Sequence, residues 1–510
     1  MRMKFFLTMF LLVVLMIIVT ACNSNAESGN QTNTEEEAGE NTETNEETEH
    51  LIVAFPNFYG EPQDLDKVEA ELSKLAEEKI NATVEIITLS ISAYQQQMNL
   101  MLTSDEKLDL AVVLSEQFSP QVSRGQLHEI GDMLEEHGQG IIDAVGEDFL
   151  KATQIDAKQY AVPTVRDFAA SYGFMMPKEY VEKYDIDVDQ INTLEDMGEI
   201  LRMIKAEEPD LYPLTSNSPG ESIAYFLRFV DPLSDFNGGV LPNYDNDLEV
   251  VNYYEMPEYV EMLKTFRSWY EEDLILPDVA TTQTTKNELL KEGKIVTYSQ
   301  ALKPGIEEQN SRDMDTEMVA IEIFDPVATT SNVASIMWSV PRNSKIPEKA
   351  VELLNLMYSD KEVYNLLTWG GIEGEHFEKV SDEVIKYPDG VTSENVGYSL
   401  NTSWLTGNQF LSYVFENEDP ELWNQIEKFN NDSIKSKALG FNFNSAPVST
   451  EIAAVSNVKE QYRIGLESGA LDFDKYYSEF IESLNDAGMD KIIAEKQKQL
   501  DEWAKINGIK

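Results

Sequence analysis

LIVAFPNFYGEPQDLDKVEAELSKLAEEKINATVEIITLSISAYQQQMNLMLTSDEKLDLAVVLSEQF, residues 51–118, alternates short apolar runs with amphipathic ones. Leu51 to Phe55 is a strand candidate that stops at Pro56, and Phe58-Tyr59-Gly60 follows as a loop. Leu65, Val68, Leu72, Leu75 and Ile80 recur at near-helical spacing, which predicts an amphipathic helix. Thr83 to Leu89 reads as a second strand, Tyr94 to Leu102 as a helix, and Leu108 to Leu114 as a buried strand ending at Ser115. The order β-α-β-α-β predicts an α/β fold with a parallel sheet and right-handed crossovers. Such sheets hold ligands in the crevice beyond the carboxyl ends of their strands. The loops at Phe58-Tyr59 and Ser115-Glu116-Gln117-Phe118 leave those ends.

The chain continues in the same style. Helices are predicted over 194–205, 257–270 and 347–367, and 294–298 and 318–324 read as strands of a second sheet. Asn332 to Val340 is a further apolar strand containing Trp338. With 510 residues there is room for two or three lobes, each with its own core. Asp and Glu number 92 against 39 Lys and Arg, a net charge of -53 that repels phosphates and excludes a nucleic acid partner.

One cysteine excludes a disulfide framework and a cysteine-rich zinc module. Its position gives it a different role. Arg2 and Lys4 precede an apolar run from Phe5 to Val19, too short for the roughly 20 residues of a membrane span. Val19-Thr20-Ala21-Cys22 then resembles a bacterial lipobox, so residues 1–22 read as a lipoprotein signal peptide and Cys22 as the lipidated anchor. Residues 23–50 hold nine Glu and no Lys or Arg, the composition of a flexible acidic tether.

Catalytic signatures are absent. The four histidines form no His-Glu-x-x-His pair, and there is no Gly-x-Ser-x-Gly elbow or phosphate loop. Glu373 and Glu375, in a glycine-rich loop, are the best available carboxylate pair for a surface carbohydrate-active enzyme, and a structural or ligand-holding role is the alternative. Asp245-Asn246-Asp247 lacks the closing glutamate of a calcium loop and reads as a solvated turn. No metal or other cofactor is expected. Trp338, Trp369 and Trp404 each stand beside Ser, Gly or Thr outside a periodic apolar stripe. Each suits either core packing or stacking on a sugar ring.

LLTWGGIEGEHFEKV (Leu366 to Val380), GNQFLSY (Gly407 to Tyr413), ALGFNFNSAPVSTEIAAV (Ala438 to Val455) and NDAGMDKIIAEKQKQLDEW (Asn485 to Trp503) resemble the LplA-like lipoproteins, a branch of the family 1 extracellular solute-binding proteins. QYAVPT (Gln159 to Thr164), KEYVEKYDID (Lys178 to Asp187) and VNYYEMPEYVEMLK (Val251 to Lys264) agree. The chain departs from the family pattern at Glu375, Asn444 and the second glycine after Trp369. The resemblance implies a type II periplasmic-binding fold, with two α/β lobes, a hinge, an interlobe cleft and extra C-terminal helices outside that cleft. It implies residues 51–165 plus 335–376 as lobe 1, 166–334 plus 377–438 as lobe 2, and 439–510 as a helical family segment.

By the same resemblance the protein is a monomeric receptor on the extracellular face of the cytoplasmic membrane. It would capture an oligosaccharide by lobe closure and deliver it to two ABC permease subunits served by an ATPase. Stacking is expected from among Tyr59, Trp338, Trp369 and Trp404, and polar contacts from Ser115, Gln117, Arg166, Asp231, Tyr298 and Glu373. The Ile372 to Phe377 run is either a joint within the lobes or a ligand contact, and Asp231 is either a contact or a turn cap.

Overall fold

The computed structural model describes residues 47–509 except 59, 105, 245, 246, 394 and 401. Cys22 and the signal lie outside the described residues, as do Tyr59, Asp245 and Asn246. The opening stretch folds as β1 (Glu49–Asn57), α1 (Leu65–Ile80), β2 (Ala82–Ser90), α2 (Ile91–Thr103) and β3 (Leu110–Leu114), followed by α3 (Ser115–Ser123). Leu65, Val68, Leu72 and Ala76 are the buried stripe of α1, close to the apolar spacing read above. Strand β1 runs past Pro56, because β3 pairs only with Val53 and Ala54 and leaves Pro56 bonded on the β2 side alone. It also starts two residues early. Glu49 and His50, read as tether, pair with Ala82 and Thr83 through their backbones, which needs no apolar side chain.

Seven further strands complete two five-stranded sheets. They are β4 (Ala161–Pro163), β5 (Ala169–Pro177), β6 (Leu214–Thr215), β7 (Thr297–Leu302), β8 (Met318–Ala328), β9 (Ile336–Ser339) and β10 (Ile434–Lys435). The first sheet has the order β2-β1-β3-β9-β4, with β9 antiparallel to both its neighbours. The second has the order β10-β8-β5-β7-β6, with central β5 antiparallel to β7 and β8. Each sheet has its own apolar core. The backbone passes from one sheet to the other between β4 and β5, between β8 and β9, and at Asn430 to Ile434.

Helices α4 (Leu194–Glu207) and α5 (Pro257–Glu271) pack in the second core. The long helix read from 347 to 367 is two, α6 (Pro347–Ser359) and α7 (Lys361–Trp369). Asp360 divides them: its carboxylate accepts from the N–H groups of Glu362 and Val363 and starts a new helix. Residues 377–429, expected with lobe 2, pack on the first core, where Tyr398, Leu400 and Leu405 are buried. The Tyr398 hydroxyl donates to the Leu367 carbonyl and the Trp338 Nε1 to that of Leu405.

The C-terminal segment forms α8 (Ser449–Glu467), α9 (Phe473–Asp486) and α10 (Met489–Ile506), whose buried faces join the second core. Its leading residues also reach the first lobe. Leu439 enters the first core, and Asn442 Nδ2 donates to the carbonyls of Ala152 and Gln154 at 2.9 and 3.1 Å.

Candidate functional site

The carboxyl ends of β1 and β3 carry a cluster that the crossing segments complete. Phe58, 36% exposed, meets Trp404 edge to face with ring centroids 5.2 Å apart. Trp404 is half-buried in a short 3-10 turn, Ser403–Leu405. That turn leads into Gly407 and Gln409, which hold the first crossing: Val165 N–H donates to the Gly407 carbonyl, and Gln409 N–H to that of Val165. Gly407 has φ +109, and a Cβ there would stand 2.5 Å from the Met357 carbonyl, so the turn requires glycine.

Ser115 and Gln117, both half-buried, lie on the first turn of α3. The Ser115 N–H donates to the carbonyl of Ser335, which sits on the second crossing. Arg166, on the first, donates from a guanidinium nitrogen to the Ser335 hydroxyl at 3.2 Å. Ser115, Arg166 and Trp404 are therefore gathered where two crossings meet the first sheet. Tyr172 on β5 and Asn332 on the second crossing line a small cavity on the second-lobe side. Phe58, Tyr172 and Asn332 were not among the expected contacts, and only Phe58, in the loop after β1, carried a positional signal.

Asp167 ties this junction to the second sheet, with Lys303 at 3.2 Å and Arg166 at 3.5 Å. Burial opposes its charge, but Lys303 and Arg166 outweigh it and hold the carboxyl below its usual range. A carboxyl depressed in the folded state stabilises it above the unfolded value of about 3.9, and loses that contribution as pH falls through the folded value. Asp167→Asn should therefore lower Tm at pH 7, with the gap to the wild type closing as thermal melts are taken down toward pH 3. A constant gap would exclude the charge as its cause.

Five expected contacts stand elsewhere. Trp338 is fully buried, edge-on to Phe55 at 6.2 Å, and cannot stack on a ligand, because β9 lies inside the sheet between β3 and β4. Tyr298 is fully buried, with its hydroxyl donating to Asn310 Oδ1 at 2.7 Å. Asp231, also fully buried, accepts from the Leu233 N–H at 2.7 Å and from the Ser436 hydroxyl, so the turn-cap alternative describes it; burial pushes its carboxyl up. Trp369 ends α7, donates from Nε1 to the Ser412 hydroxyl at 3.0 Å and packs on Phe415. Glu373 is exposed in the loop beyond it.

That loop is tied to the residues before α1. The imidazole of buried His376 bridges the Gly370 carbonyl at 2.9 Å and Asp64 at 3.1 Å, before α1. The His376 bond leads in holding the Asp64 carboxyl low, with Lys67 assisting. Gly370 has φ +84 and would drive a Cβ to 2.3 Å from the His376 ring. Asp64, Glu375 and His376 could converge on an ion, but the Lys67 ammonium already bridges both carboxylates, at 3.2 and 2.9 Å. Glu373 and Glu375 both face solvent, the second paired to Lys67, so the loop encloses no glycosidic bond between an acid and a base.

Two α/β sheets with separate cores, joined by three crossings, form the two-lobed α/β architecture of the periplasmic solute-binding proteins. The chain belongs to the bacterial extracellular solute-binding proteins: residues 72–374 match that family's model, and 437–505 match a domain of unknown function, DUF3502. It is 29% identical over 458 residues to a carbohydrate ABC transporter substrate-binding protein of Streptococcus pneumoniae serotype 4, covering 87% of this chain and 89% of that one. Lipoprotein LipO of Bacillus subtilis is 22% identical over 336 residues, 60% of this chain and 63% of its own. Among solved structures, the N-glycan transport solute-binding protein NgtS of Streptococcus pneumoniae overlays with a TM-score of 0.77 at 26% identity, over 89% of this chain and 99% of that one. Its complexes with Man1GlcNAc and Man5GlcNAc overlay at 0.68 and 0.65. The family is one of binding proteins, which sets aside the enzyme reading of Glu373 and Glu375.

Proposed function

We propose that this protein captures an oligosaccharide between its lobes and hands it to an ABC importer, and that a lipid on Cys22 holds it at the outer face of the cytoplasmic membrane. The observation that carries the reading is the near end-to-end match to a glycan-transport receptor. Two permease subunits would recognise the closed form, a population shift driven by the ligand's preference for it. The resemblance to a lipoprotein supports the anchor.

Phe58 and Trp404 would present an apolar ring face, and Ser115, Gln117 and Arg166 the hydrogen-bonding groups. A thermal-shift screen of the protein against oligosaccharides, including mannose-GlcNAc glycans, tests the reading, since a ligand that binds only the native state raises Tm by mass action. A shift with peptides or metal complexes and with no saccharide would sink it. Trp404→Ala should weaken the saccharide found by about 30-fold, the scale of losing an aromatic anchor worth about 2 kcal/mol. Calorimetric titration reads this, and unchanged affinity would remove Trp404 from the site.

A further inference from the structure

Arg228, Lys459 and Arg463 line one cavity of about 200 Å³ in the second lobe together with the Glu467 carboxylate, walled by Tyr225, Phe236 and Tyr253. In a chain of net charge -53 such a gathering of cations runs against the composition. Their charges are unevenly matched. Arg463 pairs with Glu467 at 2.9 Å, and that carboxylate also accepts the hydroxyls of Ser222 and Tyr259. Lys459 donates instead to the Phe236 carbonyl at 2.9 Å, and Arg228 Nε to that of Tyr225 at 3.0 Å. The Arg228 guanidinium lies 4.7 Å from the Tyr225 ring centroid and 5.3 Å from that of Phe236. Among the described residues, neither Arg228 nor Lys459 is in an ion pair with a carboxylate.

Two other acids stand nearby, Glu221 and Asp235. Burial pushes the Glu221 carboxyl up while Lys286, Arg228 and Arg463 pull it down, and Asp235 is engaged with the Lys496 ammonium at 2.7 Å. Burial, with Arg463 beside it, pulls the Lys459 ammonium down to about 8 against the opposing pull of Glu467 and Asp235. Arg228 also lines the cavity that holds Tyr172 and Asn332, so the basic cavity adjoins the second crossing, and Tyr225 is 37% exposed at its edge. Its volume is below the roughly 300–1,000 Å³ of a drug-sized pocket and suits one terminal group.

We propose that this cavity is an oxyanion subsite, in which Arg228 and Lys459 receive a carboxylate or sulfate carried by the captured saccharide while Tyr225 and Phe236 flank the ring that bears it. A planar guanidinium matches two carboxylate oxygens, and an ammonium adds a third donor. The subsite rests on the oligosaccharide-receptor reading and deepens it to an acidic glycan.

The test titrates the full chain with sialyl- and glucuronyl-capped trisaccharides, with the neutral disaccharide they share, and with sodium sulfate at constant ionic strength. Each titration is repeated on Lys459→Met and Lys459→Arg. At least one capped form should bind tenfold or more tightly than the neutral one, with the gap lost in Lys459→Met and retained in Lys459→Arg. A sulfate-dependent rise in Tm that disappears in Lys459→Met, with no saccharide bound, shows a free anion as the source and overturns the acidic-glycan subsite. Neutral saccharide binding with no capped or sulfate effect sensitive to Lys459 overturns the subsite and leaves the receptor reading intact.

Discussion

Lys496→Met is expected to destabilise the fold by about 3–5 kcal/mol, the scale of breaking a buried charge pair. The ammonium of Lys496 is fully buried on α10 and donates to the carbonyls of Pro232, Asp235 and Gly239 at 2.9, 2.8 and 3.0 Å. The Asp235 carboxylate stands 2.7 Å away. One side chain of the C-terminal segment thus satisfies a turn of the second lobe more than 250 residues earlier. Methionine keeps the apolar stem but leaves three carbonyls facing a dry space, each unmet acceptor costing about 1–3 kcal/mol. Equilibrium urea unfolding measures the loss, and limited proteolysis should cut before α8 sooner than in the wild type. A change below about 1 kcal/mol would mean that water replaces the ammonium.

Asn430→Leu should cost about 2–5 kcal/mol and loosen the junction of the first and third crossings. Its Oδ1 accepts from the N–H groups of Phe168 and Ala169 at 2.8 and 3.2 Å, and its Nδ2 donates to the Arg166 carbonyl at 2.6 Å. The residue is 3% exposed, so leucine strands two donors and an acceptor out of reach of water. Asn430→Asp keeps the acceptor and removes the donor, and is expected to fall between wild type and leucine. Hydrogen exchange at amides 168 and 169 is the local readout: protection should drop in Asn430→Leu by more than global unfolding accounts for. Equal protection would show that the crossing is held by its strands alone.

Much of the first lobe was legible because its signals are local. The apolar spacing of α1 and the runs of β1 to β3 follow from side-chain periodicity, which one window of sequence displays. Asp360 divided a helix that periodicity joined, since a cap acts through one carboxylate and leaves the apolar stripe unbroken. The family segments were legible for another reason: they carry whole motifs, and most of them fall within the matches over 72–374 and 437–505, though Gly407 to Tyr413 lies in neither.

The candidate site was legible only by position. Ser115 was placed by the rule that ligands meet strand ends, and it does lie beside Arg166 and Ser335. Trp338 failed because a tryptophan next to serine has the same local signature on a buried central strand as in a loop. Tyr298 failed because its hydroxyl meets Asn310 on the next helix, whereas Asp231 follows the turn-cap alternative, bonding Leu233 locally and Ser436 from afar.

By itself, the sequence determined the class of the protein: an α/β receptor of the solute-binding family, with an acidic surface and without catalytic motifs. Composition, periodicity and motif are properties of residues close in the chain, and they survive without a fold. Tertiary structure alone decided which aromatics face solvent, that 377–429 packs on the first core, and that Lys496 serves a distant turn. It also decided that scattered cations of a strongly acidic chain meet in one cavity. Burial and charge pairing depend on what the rest of the chain brings alongside, and that is set only when the chain closes on itself.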